Sequence, residues 1–79
     1  MTFEDYYRML NIEKSHTAGE EAEARTAWGL GEALAIYGLS PKDVWLKART
    51  EADTRKPSNR LMWIKAFCRG HAEATARRS

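Results

Sequence analysis

Cys68 and His71 are the side chains best suited to chemistry, three residues apart on what reads as one helical face. As metal ligands they supply two donors, whereas a closed structural zinc site takes four, and no second sulfur or further ligand accompanies them. As nucleophile and base they would need a partly exposed site that stabilises a thiolate. The spacing instead puts Cys68 on an apolar stripe with Leu61, Ile64 and Ala72, so the pair reads as a packed thiol beside a half-buried imidazole. His16 falls in a polar connector. Glu20, Glu21 and Glu23 lie close together, but at the start of a helix they complement its dipole without any catalysis. Gly29 and Gly31 sit inside a helix rather than after a strand, which excludes a phosphate-cradling loop. No catalytic residue, metal ligand or cofactor is expected, and the function class is binding.

Charge gives the stronger lead. Residues 1–41 carry three basic against seven acidic side chains, and residues 42–79 carry ten against four. Such a split suggests a cationic surface for an anionic partner, or an acidic half docking on a basic half within one chain or between two. The candidate basic face is Lys42, Lys47, Arg49, Arg60, Lys65 and Arg69, placed to follow a phosphate backbone or an acidic protein surface. Leu46, Met62 and Trp63 are expected at or beyond the edges of their apolar stripes, as anchors of a protein interface. Trp63 could also stack on an unpaired base.

Four helices position these residues, and no segment reads as a strand. Thr2 caps residues 3–10, where Phe3, Tyr6, Tyr7, Met9 and Leu10 share one side. Residues 11–16 form a connector with Ile12 tucked inward. Thr17 and Glu20 have capping-box spacing and open a long helix over 18–37, closed by Gly38. Ala27, Trp28, Leu30, Leu34, Ala35 and Tyr37 cover more than half its circumference, which makes it the expected middle of the fold. Gly29 and Gly31 within it imply a close helix crossing or a kink. Ser40, Pro41 and Asp43 start a third helix, 41–52, with Val44, Trp45, Ala48 and Ala52 inward and Leu46 outward. After a polar loop ending at Pro57, Ser58 or Asn59 caps a last helix, 60–76, with Leu61, Ile64, Phe67, Cys68 and Ala72 on its core face. Lys65, Arg69 and Arg77 lie on the opposite side beside Ala66 and Gly70, and the last few residues fray.

The expected architecture is therefore an all-α bundle of about four helices forming a single domain over 1–79. Its 79 residues, 43% hydrophobic and 30% charged, are too apolar for obligate disorder and too interrupted by charge for a membrane span. A chain this short buries only about 60–65% of its unfolded surface, so a homodimer or a host protein would add stability. One cysteine permits no internal disulfide, and no basic stretch followed by an apolar run opens the chain. A cytoplasmic protein is the expectation.

Two resemblances add to this. Residues 33–47, with Gly38 at the turn, Ser40 and an inward Val44, resemble a helix-turn-helix corner. It would make the third helix a DNA reader, although the same residues also describe an ordinary helix corner. Glu20-Glu-Ala-Glu-Ala24 and the helix ending Ala35-Ile-Tyr-Gly-Leu-Ser40 resemble a short helical domain of unknown function found in phage and bacterial proteins, over about residues 9–44. That resemblance implies an all-α fold and a mobile-element origin. Together these readings point to a phage- or mobile-element-encoded inhibitor or adaptor acting on a host protein, nucleoprotein or nucleic acid through its basic half. The alternative is a sequence-specific DNA-binding regulator.

Overall fold

Side-chain caps set the start of every helix. In the computed structural model, which describes residues 1–78, α1 spans Phe3–Glu13, α2 Ala18–Ala33, α3 Pro41–Arg55 and α4 Arg60–Arg78. Thr2 and Asp5 form one capping box, and Thr17 and Glu20 a second. In the second, the Glu20 N–H donates to Thr17 Oγ1 and the Thr17 N–H donates to Glu20 Oε1, both at 3.1 Å. Ser40 accepts from the Asp43 N–H, with Pro41 in the first turn. Asn59 Oδ1 accepts from the Met62 N–H at 3.1 Å, which makes Asn59 the cap of α4.

The ends of the helices depart from expectation at several points. α1 continues through Asn11 and Ile12, and Ile12 is 81% exposed rather than tucked inward. α2 tightens after Ala33 into a 3-10 turn, Leu34–Tyr37, which Gly38 closes in the left-handed region at φ 63°. Tyr37, expected among the covered residues, is exposed. α3 gains a turn beyond Ala52 and ends at Lys56, itself left-handed at φ 50°, just before Pro57. α4 stays helical to Arg78, and the fraying expected of the last residues falls partly on Ser79, outside the described residues.

The middle of the bundle is α4, not α2. α2 packs along it in parallel: the Glu23 carboxylate meets Ser58 at one end, and Arg77 reaches Glu32 at the other. α3 returns antiparallel on a second side of α4. α1 lies against α2, with Phe3 and Tyr6 on the Trp28 ring at 5.7 and 5.3 Å between centroids, and Tyr6 and Leu10 border the start of α4 at Leu61 and Met62. Ile64 and Phe67 are the largest fully buried side chains.

The α2–α4 crossing depends on two glycines. A Cβ at Gly31 would come within 2.9 Å of the Phe67 carbonyl carbon and closer still to its oxygen; one at Gly70 would meet Trp28 in the same way. Gly29 has open space around it. The close approach expected for the glycine pair therefore belongs to Gly31 alone. Its counterpart, Gly70, sits on the side of α4 that had been expected to face outward.

Candidate binding face

α3 packs on the bundle through a narrow stripe, Val44, Ala48 and Ala52, each buried. Four residues spaced i, i+3, i+4 and i+7 stand away from it. Lys42, Trp45, Leu46 and Arg49 fall within an arc of about 100°. Trp45 is 41% and Leu46 47% exposed, and both cations are exposed with no ion pair among the described residues. Sequence reasoning placed Leu46 correctly but turned Trp45 inward. The signal it missed is that a helix with one main neighbour buries only its i, i+4, i+8 row.

The six expected cations do not make one face. Lys42 and Arg49 share the outer side of α3. Lys47 points about 160° away from Arg49, over a crevice of about 140 Å³ against Leu30, Leu34 and Phe67. Lys65 is exposed on α4 and borders a crevice of about 270 Å³ shared with Tyr6 and Leu10. The remaining two are neutralised within the chain. Arg60 pairs with Asp53 at 3.1 Å, and Arg69 pairs with Glu73 at 3.6 Å while donating to the Met1 sulfur. Arg55 with Glu51 and Arg77 with Glu32 are likewise paired. Exposed pairs of this kind add no more than about 1 kcal/mol each, but they remove free positive charge.

Two of the three expected anchors are core residues. Met62 is 7% and Trp63 2% exposed, the latter packed on Phe67 at 5.7 Å between rings. Leu61 and Ala72, expected inside, are exposed, and Cys68 is half-buried. The core face of α4 is turned by about 120° from the apolar stripe read in the sequence. Ala66, Gly70 and Ala74 admit the α2 backbone, and such small residues weigh little on any hydrophobic pattern.

Beside the α3 face, the start of α3 and the second half of α4 enclose an apolar groove of about 540 Å³, walled by Leu39, Pro41 and Val44 on one side and Cys68, Ala72 and Ala76 on the other. Burial pushes the Cys68 thiol above its ordinary pKa, which keeps it protonated at neutral pH. His71 also borders the groove, and its Nε2 is buried without a hydrogen-bond partner among the described residues. No group of three or more side chains suited to a metal ion gathers among the described residues, and no helix among them is long and apolar enough to cross a membrane. No family model, curated protein or solved structure matches the chain.

Proposed function

We propose that the chain is a small non-enzymatic binding protein that engages an anionic target, a host nucleoprotein or acidic protein, through the outer face of α3. The observation that carries this reading is the bracketing of exposed Trp45 and Leu46 by the unpaired Lys42 and Arg49. Large apolar side chains left half in water are the usual anchors of an interface. Free cations around them steer a negative partner in and reject a positive one. Lys65 adds charge from α4, while Arg60 and Arg69 drop out because their own carboxylates hold them. A mobile-element origin rests on the resemblance of residues 9–44, which supplies no activity, and the inhibitor or adaptor role is part of this proposal.

The position of α3 after the Gly38 corner favours a second reading, a sequence-specific DNA-binding regulator. Against it, Trp45 and Leu46 form the two edges of the face, and neither offers the paired hydrogen-bonding groups that read base edges. Fluorescence anisotropy with two probes, a labelled polyglutamate peptide and a labelled random-sequence duplex, separates these readings at low and physiological salt. The wild type should bind at least one probe with salt-sensitive affinity, and Lys42→Glu/Arg49→Glu should weaken it by about tenfold or more. Lys14→Glu/Arg78→Glu, equal in net charge, should not. Equal losses in both double variants, or none in either, would refute the α3 face. One duplex sequence bound orders of magnitude more tightly than random DNA would establish the regulator instead.

A further inference from the structure

From the groove beside the α3 face we infer the chemistry of the partner: an acidic protein segment whose bulky aliphatic side chains enter the groove between α3 and α4. This rests on the reading of α3 as the binding face and adds the groove to it. The two surfaces are continuous. Pro41 lines the groove, and Trp45, one turn further along α3, stands on the same side about 40° away. On the opposite wall, Ala72 follows Lys65 by seven residues and so lies within about 20° of it. An apolar trough thus runs between the unpaired cations Lys42 and Arg49 on α3 and Lys65 on α4.

A phosphate backbone could satisfy those cations, but it has no aliphatic groups to fill a trough walled by Leu39, Pro41, Val44 and Ala72. A second copy of the chain fits poorly for a different reason. Glu4, Glu21, Glu32, Glu51, Asp53 and Glu73 already pair with arginines of the same chain, leaving little negative surface to offer. The matching ligand carries carboxylates at its edges and Leu- or Ile-like side chains along one side. That is the pattern of an amphipathic acidic helix laid into a groove.

The test uses a synthetic peptide of about 18 residues, roughly 27 Å as a helix, against a molecule whose longest dimension is 33 Å. It carries leucines at i, i+3, i+4 and i+7 repeats with glutamates elsewhere; the comparison peptide replaces each leucine with alanine. Titration followed by amide NMR should shift residues 39–46 and 68–76, and the alanine peptide should bind about tenfold more weakly. Ala72→Glu should cost a similar factor, and Ala76→Glu serves as a second groove variant; both side chains are exposed, so unchanged thermal melts establish that the fold is intact.

Equal affinity for both peptides, or wild-type affinity in both groove variants, overturns the inference while leaving the charged face standing. Binding of the random-sequence duplex but of neither peptide does the same. Peptide binding whose shifts map away from the groove also overturns it. Binding of no anionic probe at all removes both the inference and the function it rests on.

Discussion

Gly29 and Gly31 are two residues apart in the same helix, and replacing each with alanine should move stability in opposite directions. Both substitutions improve helix propensity by about 1 kcal/mol. At Gly29 the new methyl meets nothing within 4 Å, so the gain survives. For a domain of this size, about 1 kcal/mol corresponds to a rise in Tm of roughly 4–8 °C. At Gly31 the methyl would lie inside contact distance of the Phe67 carbonyl and 3.0 Å from the His71 nitrogen, all backbone atoms that no rotamer change can clear. α2 and α4 would have to separate, and overpacking of this sort costs about 1–3 kcal/mol or more. Because the separation also loosens Trp28 and Phe67, the upper end applies. The net loss is about 2 kcal/mol, a fall of roughly 8–16 °C. Gly70→Ala should behave like Gly31→Ala, and the double variant should lose less than the sum, since one separation relieves both clashes. Thermal and urea melts followed by far-ultraviolet circular dichroism measure all four proteins. A Gly31→Ala variant as stable as Gly29→Ala would show that the helices do not cross at this point, and a strictly additive double variant would show two unrelated defects.

Two further outcomes follow from the core and the caps. His71→Leu should leave Tm unchanged or raised, because it removes a buried nitrogen with no partner among the described residues and such a group costs about 1–3 kcal/mol; a loss above about 1 kcal/mol in urea melts would mean that Nε2 is satisfied after all. Glu4 is held below its ordinary pKa of 4.5 by hydrogen bonding from Arg25, and Glu20 by the Thr17 backbone N–H and then by Asn59. Depressed folded-state values give stability that is complete above 4.5 and lost as pH falls through them. Tm should therefore hold steady from neutral pH to about 5 and drop below 4.5, with Glu20→Gln flattening that drop; an unchanged acid limb in Glu20→Gln would remove Glu20 from the account.

The sequence was most legible where structure is local. Thr17 with Glu20, Ser40 with Pro41, and Gly38 act through backbone groups within one turn, so residue type and spacing were enough to position the helix starts and the corner. The ends were less legible: α1 carries the exposed Ile12 a turn further, while the extra turn of α3 has a partner in the next helix. Arg60 reaches back to Asp53 to hold the end of α3 against the start of α4. The orientation of α4 was not legible at all. Its buried arc faces α2 and α3 together, and on the α2 side the requirement is small volume rather than apolarity. Ala66, Gly70 and Ala74 satisfy that requirement without registering as a stripe, so Leu61 and Ala72 were drawn inward and Met62 and Trp63 outward.

The acidic first half has a structural explanation that bears on the site. α2 and α4 run parallel, so the positive ends of their dipoles sit side by side, and carboxylates gathered there stabilise both. Glu20 caps its own helix while accepting from Asn59 Nδ2, and Glu23 takes the Ser58 N–H and hydroxyl at the start of the other. Glu21 and Glu4 hold Arg25, whose guanidinium lies 4.6 Å from the centre of the Phe3 ring and ties α1 to α2. These glutamates therefore have internal work and do not reach the outer face of α3. The arginines of the second half are for the most part committed in the same way. On the outer side of α3 the fold leaves Lys42 and Arg49 uncompensated among the described residues, one turn before and after Trp45 and Leu46, while Lys47 on the far side of α3 and Lys65 on α4 are unpaired but stand apart from them. A polarity read as one half of the chain against the other thus narrows to the outer face of α3 with Lys65 beside the neighbouring groove, and loss of binding should concentrate on mutation there rather than at the paired Arg55, Arg60, Arg69 and Arg77.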